Sequence, residues 1–476
     1  MLSSIEKHFP LIPFYCLFLV LTLLSLNHIF FWDTVQLASM QAHHFFENGL
    51  DKTLLPNNID SGHIPAFGFY LAIWWKILGK TLWVSHLAIL PFLFGIVWQC
   101  NVLIRYFIPK PYVFLSLILF LAEPTLLGQS VLVSPDIVLV FCFLLMLNGI
   151  LKNHRFLIAL GLIGLFLISM RGLMVAFALL LFDIYLNTLE GKRFSFSSLL
   201  RISLAYWPAV IGILPYFLFH YAEKGWLAYH PESPWMGSFE RVRFQGFIYN
   251  IGIMVWRIID FGRVFVVIAI IIITLTRVGK IKLNQKFKYL IFIVMSLTIC
   301  LGYSFTTYKY LSAHRYLLPL FLILVLCFLY MLFVFVNNSK MRNIIYLVVL
   351  GALLSGNFWI YPEGIAKGWD ASLAHWPYYE LREKMNAYLE KKNIEYSEVA
   401  AEFPNVSERR FLELSESRER HQYLNLDSNE YVLYSNIYNN IDDEEILELK
   451  RDFKLIQSFR KRGVFISLYE KIKIEK

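Results

Sequence analysis

Residues 315–336 read RYLLPLFLILVLCFLYMLFVFV, and this stretch carries no charged side chain after its first arginine. A helix of about 20 mostly apolar residues is long enough to cross the hydrocarbon core of a bilayer. Similar runs occur at 11–31, 84–104, 112–127, 134–151, 156–170, 172–188, 198–219, 254–276, 288–305 and 343–361. The sequence therefore predicts a polytopic α-helical membrane protein with about eleven spans.

The composition agrees with a chain that lies mostly in lipid. Only 17% of its 476 residues are charged and 57% are hydrophobic, whereas soluble domains carry about 25% charged residues. The net charge is +9, but the basic residues lie in short loops between spans and not on one polar face. Nucleic-acid binding is therefore not predicted.

Lysine and arginine are concentrated in alternate loops, and loops enriched in these residues face the cytoplasm. The predicted cytoplasmic loops contain Arg105 and Lys110; Lys152 and Arg155; Lys192, Arg193 and Arg201; Arg277, Lys280, Lys282, Lys286 and Lys288; and Lys340 and Arg342. This orientation leaves long outer loops at 32–83 and 220–253. It predicts a multi-pass cell-membrane protein, and the frequent Phe, Ile, Lys and Asn indicate a bacterial inner membrane.

Two stretches of the first outer loop are predicted to lie on the outer membrane surface. Residues 64–78 are apolar, but the run is short, and a crossing here would invert every later loop. An interfacial helix is therefore favoured over a span. Residues 34–47 are amphipathic and predict a second helix of this kind.

The last part of the chain, 362–476, is polar and carries a net charge of −4, whereas 1–361 carries +13. Two stretches have strand-like composition and two have helical spacing of apolar residues, namely 431–437 and 463–469, then 378–392 and 442–452. About 115 residues are enough for an independent fold. We therefore expect a transmembrane domain over 1–361 and a small extracytoplasmic α/β domain over 362–476.

Acidic side chains fall at the outer ends of predicted spans. Asp33 directly follows the first span. Burial raises the pKa of such a carboxyl and makes it a competent general base, although aspartate is also a favoured helix cap. Asp136 either lines the same cavity or caps its helix. Asp60 and His63 open the 64–78 helix, where an anion site and an ordinary cap are both plausible.

Basic side chains mark the same outer boundary. Arg171 and Arg315 stand at the edges of apolar runs, where arginine either binds phosphate through its fork geometry or snorkels to headgroups. Asp260 and Arg263 lie inside the 254–276 span and are expected to pair across one helical turn. The histidines lack the tight spacing of a metal site, so a divalent metal is compatible with the sequence but not required by it.

Together these features resemble the GT-C superfamily of membrane glycosyltransferases, and in particular the protein O-mannosyltransferases and lipid A aminoarabinose transferases. The motifs that carry the resemblance are WDT at 32–34, GHIPAFGFYLAIWWKILGKTLWVSHLAILPFLFG at 62–95, SPDIVLVF at 134–141, and the later SMRGLM and HRYLLPL. The resemblance covers about 1–335 in layout, and the tail matches a small soluble domain common in these proteins. Many relatives carry Asp-Glu where this chain has Asp33-Thr34, so no metal ligand is carried over to position 34.

The resemblance implies transfer of a sugar from a polyprenyl-phosphate donor to a lipid, glycan or protein acceptor at the outer face, with inversion. Asp33 would be the base, and His63, Arg171 and Arg315 would hold the donor phosphate. The remaining pocket candidates are Asp60, Asp136, His230 and His314. The alternative is a polytopic transporter or lipid flippase. Transporters often show matching halves, and this chain shows none, so the enzyme is favoured.

Overall fold

The computed structural model describes residues 11–189, 196–228, 230–233, 235–276, 284–363, 368–438 and 440–472. Helices occupy most of the chain up to residue 356, and a small α/β unit follows. The helices of the first part are α1 Ile12–Ser25, α2 Gln41–Asn48, α3 Ala66–Leu78, α4 Leu82–Leu87, α5 Leu90–Phe107, α6 Val113–Leu121, α7 Pro124–Ser130, α8 Pro135–Leu151, α9 Arg155–Ile168, α10 Met170–Leu189, α11 Phe196–Lys224, α12 Phe244–Ile259, α13 Arg263–Thr276, α14 Gln285–Thr307, α15 Leu318–Phe335 and α16 Ser339–Gly356.

The apolar runs of the sequence fold as helices. Within the described ranges, five helices are long and apolar enough to cross a membrane, and two bent helix pairs raise the number to seven if each pair is one span. The five are Leu82–Phe107, Met170–Asn187, Ile202–Lys224, Gln285–Thr307 and His314–Phe335. The prediction of about eleven spans also counted shorter helices, such as α1, α8 and α9, which are apolar but have at most 17 residues.

The predicted span 254–276 is wrong as one continuous helix. The chain bends by 87° between α12 and α13, because Phe261 and Gly262 adopt positive φ angles of 49° and 82°. The Asp260 carboxylate accepts the Phe261 amide at 2.8 Å and supports the turn. The expected Asp260–Arg263 side-chain pair is also wrong, because the break ends the helical spacing that would have brought the two together.

A second bend divides the predicted span 112–127. Here α6 and α7 meet at 65°, with Glu123 at the break and its carboxylate capping the Leu126 amide at 2.7 Å. The other Glu123 oxygen receives the guanidinium of Arg263 at 2.6 Å, and the Thr125 hydroxyl accepts from the same guanidinium at 3.1 Å. A buried ion pair therefore joins the two bends, and Arg263 pairs with Glu123 in place of Asp260.

Both stretches predicted to lie on the membrane surface are helical. The first contains the π-helix Val35–Met40 followed by α2, and the second is α3, whose 13 residues fall short of the 20 or so that a span needs. Phe67, Leu71 and Trp75 of α3 are buried against the rest of the protein. Its placement in the outer membrane surface remains a prediction.

The C-terminal end of helix α15 lies beside loops that were predicted to be cytoplasmic. Central helix α15 is almost entirely buried by its neighbours. Near its C-terminus the Tyr330 hydroxyl donates to Asn284 at 2.9 Å, and the Phe333 ring stacks on Tyr112 at 4.4 Å. The Arg342 guanidinium lies 4.7 Å from the same Tyr112 ring. Several predicted cytoplasmic loops thus meet at one end of the bundle; Lys192, Arg193, Arg277, Lys280 and Lys282 lie outside the described residues.

The tail forms a five-stranded sheet in the order β2-β1-β3-β5-β4. Its strands are β1 Val399–Ala401, β2 Gln422–Tyr423, β3 Tyr431–Ser435, β4 Phe453–Lys461 and β5 Val464–Lys471, and its helices are α17 Pro377–Lys392, α18 Arg409–Leu412 and α19 Asp443–Asp452. A capping box between Asp442 and Glu445 starts α19. The two predicted helices and the two predicted strands of the tail are therefore present; β4, β2 and β1 were not predicted.

The tail packs on the end of the bundle opposite the basic loops. The His28 ring, which follows α1, stacks on Tyr379 of α17 with 3.9 Å between ring centroids. Arg315 lies at the start of α15, whereas Lys340 follows its end, and 18 helical residues separate them by about 27 Å. The bundle thus has one end with basic loops and another end covered by the tail.

Candidate functional site

A cavity of about 1110 Å³ lies between the bundle and the tail. The bundle contributes Trp32, Asp33 and Gln36, the second long loop contributes Trp235 and Ser238, and α12 contributes Tyr249 and Arg257; the segment before α15 adds Ser312, His314, Arg315 and Tyr316, and the tail adds Asp370, Glu402, Phe403, Phe411 and Tyr423. Polar and aromatic side chains thus face each other across one space, which is the usual character of a ligand pocket.

Asp33 is presented by a tight turn after α1. Trp32 has a positive φ of 53°, and the Thr34 hydroxyl closes the turn by accepting the Phe31 amide at 2.9 Å and donating to the Phe31 carbonyl at 2.6 Å. The Asp33 side chain does not cap the following helix. It forms an ion pair with Arg315, which lies 282 residues further along the chain.

The Arg315 guanidinium is surrounded by three carboxylates. Nη2 pairs with Asp33, Nη1 pairs with Asp370, and Nε lies 3.2 Å from an oxygen of Asp136. Burying charges costs free energy unless they are paired and hydrogen-bonded, and here every nitrogen of the fork has an anionic partner. We call Asp33, Asp136, Arg171, Arg315 and Asp370 the carboxylate–arginine cluster.

Arg171 completes this cluster. It donates to the second Asp136 oxygen at 2.6 Å, and its guanidinium lies 4.2 Å from the centre of the Tyr316 ring. Asp136 is free for this pairing because Ser134, not Asp136, caps α8 by accepting the Asp136 amide at 3.2 Å. The structure therefore brings together four residues that the sequence placed at separate span ends.

The cluster holds three acids and two arginines, so it carries one excess negative charge when all are ionised. Asp33 is the most exposed of the acids, with 25% of its side chain accessible, against 6% for Asp136 and 10% for Asp370. Burial raises the pKa of the Asp33 carboxyl; Arg315 opposes that rise, and Asp370 and Asp136 add to it. Asp33 is therefore the acid best suited to receive a proton from the cavity.

Arg257 also lines the cavity and has fewer partners than Arg315. Its Nε donates to the Ser312 carbonyl at 3.2 Å, while Nη1 is buried without a hydrogen bond and lies 4.0 Å from Asp260. Asp260 is already hydrogen-bonded to His314, whose Nε2 lies 2.7 Å away, and to the Tyr361 hydroxyl. Arg257 thus has a guanidinium nitrogen without a hydrogen-bond partner, whereas Arg171 and Arg315 are hydrogen-bonded to carboxylates.

The other predicted pocket residues have separate environments. Asp60 is buried and paired with Lys224 at 2.6 Å and His220 at 3.1 Å, so it anchors the long loop before α3 to α11. His63 lies near Asp60 and Arg171. Burial lowers the pKa of His63 to about 4, and the charge of Arg171 also lowers it. His230 packs against Trp226 with 5.3 Å between ring centroids. None of these three lines the described wall of the cavity, whereas His314 does.

Two functional candidates escaped the sequence analysis. Asp370 lies in a polar tail with 22 acidic residues, so nothing in its local pattern distinguishes it. Arg257 sits in an apolar helix three residues before Asp260, and an arginine inside an apolar run was a usable signal. Among the described residues, no group of three or more His, Cys, Asp or Glu side chains could hold a metal ion.

Two solved structures share this fold. Crystal structures of ArnT from Cupriavidus metallidurans, one bound to undecaprenyl phosphate and one in the apo state, match with TM-scores of 0.55 and 0.53. Each alignment covers 96% of this chain and 97% of the ArnT chain at 11% identity. The resemblance to the lipid A aminoarabinose transferases that the sequence motifs indicate is therefore confirmed as a likeness of fold over nearly the whole chain. No protein-family model and no curated protein sequence matches the chain.

Arg315→Met should lower the free energy of unfolding by about 3–5 kcal/mol at neutral pH, because it leaves buried carboxylates uncompensated. The loss should grow as pH rises above about 4, because burial raises the pKa of Asp33 and Arg315 opposes that rise. Without Arg315 the folded variant keeps a proton on Asp33 that the unfolded chain has released. Thermal unfolding in detergent across pH measures this. The control is Arg418→Met at an exposed tail position; equal, pH-independent losses in both variants would contradict the expectation.

Proposed function

We propose that the chain is a glycosyltransferase that moves a sugar from a polyprenyl-phosphate donor to an acceptor at the outer face of the membrane. The observation that carries the proposal is the pairing, in one cavity, of an accessible carboxylate in an acid-rich cluster with the partly unpaired cation Arg257. The ArnT structure with bound undecaprenyl phosphate supports a lipid-phosphate partner for this fold.

The chemistry of glycosyl transfer separates charge in a way that fits this cavity. An acceptor hydroxyl attacks the anomeric carbon, its proton passes to Asp33, and the bond from the anomeric carbon to the phosphate oxygen breaks. The sugar gains positive charge in such a transition state, which favours a negatively charged cluster beside it. The phosphate leaves as an anion, which favours a cation on the opposite side. Attack opposite the leaving group inverts the anomeric centre.

We assign the phosphate to Arg257 in place of His63, Arg171 and Arg315, the three residues expected from the sequence. Arg171 and Arg315 are held by carboxylates at 2.6 and 3.2 Å and by the shorter contacts to Asp33 and Asp370, so a phosphate there would meet excess negative charge. Arg257 has a carboxylate only at 4.0 Å. Its guanidinium can therefore take phosphate oxygens without displacing a carboxylate at hydrogen-bond distance.

The sidedness follows from the two different ends of the bundle. The cavity and the tail share the end remote from the basic loops, and basic loops are cytoplasmic in membrane proteins. We therefore assign the cavity and the tail to the extracytoplasmic face. An acceptor there is a lipid, glycan or protein outside the cytoplasm, and the membrane is the bacterial inner membrane.

Ser428→Cys in the tail should react with a membrane-impermeant maleimide in sealed right-side-out vesicles, whereas Lys288→Cys should react only after the membrane is opened. Both positions are exposed in the structure, so access depends on the side of the membrane. The unmodified chain, whose cysteines lie in apolar stretches, gives the background. Labelling of the Lys288→Cys variant in sealed vesicles would reverse the proposed orientation.

Asp33→Asn should lower the rate of sugar transfer from a polyprenyl-phosphate donor by about 10²–10⁴-fold, the usual contribution of a positioned general base. Binding of undecaprenyl phosphate should stay close to that of the unmodified protein, because Asp33 is not assigned to the phosphate. The matched control is Asp51→Asn, a change at an exposed acid of the same outer loop. Full transfer activity in Asp33→Asn would remove Asp33 from the reaction.

Arg257→Met should weaken binding of undecaprenyl phosphate about 10- to 100-fold, because a hydrogen bond to a charged group contributes about 1.5–3 kcal/mol. Equilibrium binding in nanodiscs measures the change, with Arg418→Met as the control for loss of one positive charge. Unchanged binding in Arg257→Met together with lost binding in Arg171→Met would return the phosphate to the carboxylate–arginine cluster.

A further inference from the structure

The segment that follows the last apolar helix is fixed in the wall of the cavity. Gly128 of α7 lies so close to it that an added Cβ would sit 2.6 Å from the Ser372 amide, and a Cβ on Gly368 would sit 2.5 Å from the His314 ring. Gln129 donates to the Asp370 carbonyl at 2.8 Å. Residues 368–372 therefore have a defined position between α7 and the start of α15.

This position delivers the Asp370 carboxylate to Arg315. Asp370 pairs with Nη1 of the fork while Asp33 pairs with Nη2, so the same guanidinium is shared between the two acids. The Gln129 side chain also lies 3.5 Å from the Asp370 carboxylate, and only 10% of that side chain is accessible. Asp370 is thus less accessible to a substrate than Asp33, although both contact the same cation.

Resting on the function proposed above, we propose that Asp370 is a positioning residue by which the tail completes the active site. Its carboxylate shares the Arg315 guanidinium with Asp33 and adds a like charge nearby, so that Asp33 remains able to accept a proton. Without Asp370, the Arg315 guanidinium would interact more strongly with the Asp33 carboxylate. Asp33 would then be a weaker base, because an opposite charge favours the ionised carboxylate.

The ability of Asp33 to accept a proton depends on all of its charged and titratable neighbours. Those that face it are Arg315, Asp370, Asp136, Arg171 and Tyr316. Asp136 shares its charge between Arg171 and Arg315, whereas Asp370 has Arg315 as its cationic partner in the cluster. Removal of Asp370 therefore changes the Arg315–Asp33 pair more directly than removal of any other acid. The rise in the Asp33 pKa includes a contribution from Asp370.

Infrared titration of the full-length protein tests the coupling without substrate. The protonated-carboxyl band of Asp33 is identified by its loss in Asp33→Asn, and its midpoint is followed against pH. In Asp370→Asn the midpoint should move to lower pH by about one unit, the smaller end of shifts caused by neighbouring like charges. Asp370→Glu keeps the charge and should stay near the unmodified midpoint, as should Asp427→Asn, an exposed acid of the tail.

Each outcome decides the proposal. An unchanged Asp33 midpoint in Asp370→Asn overturns it, whether or not the protein transfers sugar. If Asp370→Asn does not fold, Asp370→Ser removes the same charge with a smaller side chain. If neither variant folds while Asp370→Glu does, the proposal is overturned and Asp370 has a purely structural role. Where transfer is measurable, the acidic limb of its pH profile should move with the infrared midpoint. Absence of transfer in the unmodified protein overturns the proposed function alone.

Discussion

The carboxylate–arginine cluster is the interaction on which the arrangement of the tail-covered end of the bundle depends. One guanidinium, that of Arg315, is shared by acids from three distant parts of the chain: the turn after α1, the start of α8 and the tail. A buried charge is tolerated only with partners, so these segments must meet for any of them to be stable. The cluster therefore fixes the tail on the bundle and, by the same contacts, builds the polar floor of the cavity.

One of the two bends lies next to this cavity, at the end of α12. A straight helix over 254–276 would carry Arg257 and Asp260 along one continuous surface, whereas the 87° bend turns α13 away and leaves Arg257 in the cavity wall. The bend is stable because the Glu123–Arg263 pair joins it to the α6–α7 break. Backbone groups released at such breaks need partners inside a membrane protein, and Asp260 and Glu123 supply them by accepting the Phe261 and Leu126 amides.

Together the cluster and the bends separate charge within one pocket. The cluster is acid-rich and includes Asp33, its most accessible carboxylate, while Arg257 at the end of α12 keeps an unsatisfied guanidinium nitrogen. A site that develops positive charge on a sugar and negative charge on a leaving phosphate needs this polarity. The aromatic side chains of Trp32, Trp235 and Tyr423 also line this cavity.

The sequence by itself determined the local features, because these depend on the period and length of apolar runs. It predicted the helical bundle, two helices and two strands of the tail, and the polar side chains at the outer ends of the helices. Only the tertiary structure decided how they pair. Asp33 and Arg315 are 282 residues apart, and Asp370 is one acid among many in the tail. The expected Asp260–Arg263 pair does not form, because two residues with positive φ break the helix between them. Ion pairing is a property of distance in space, and sequence spacing fixes that distance only within an unbroken helix.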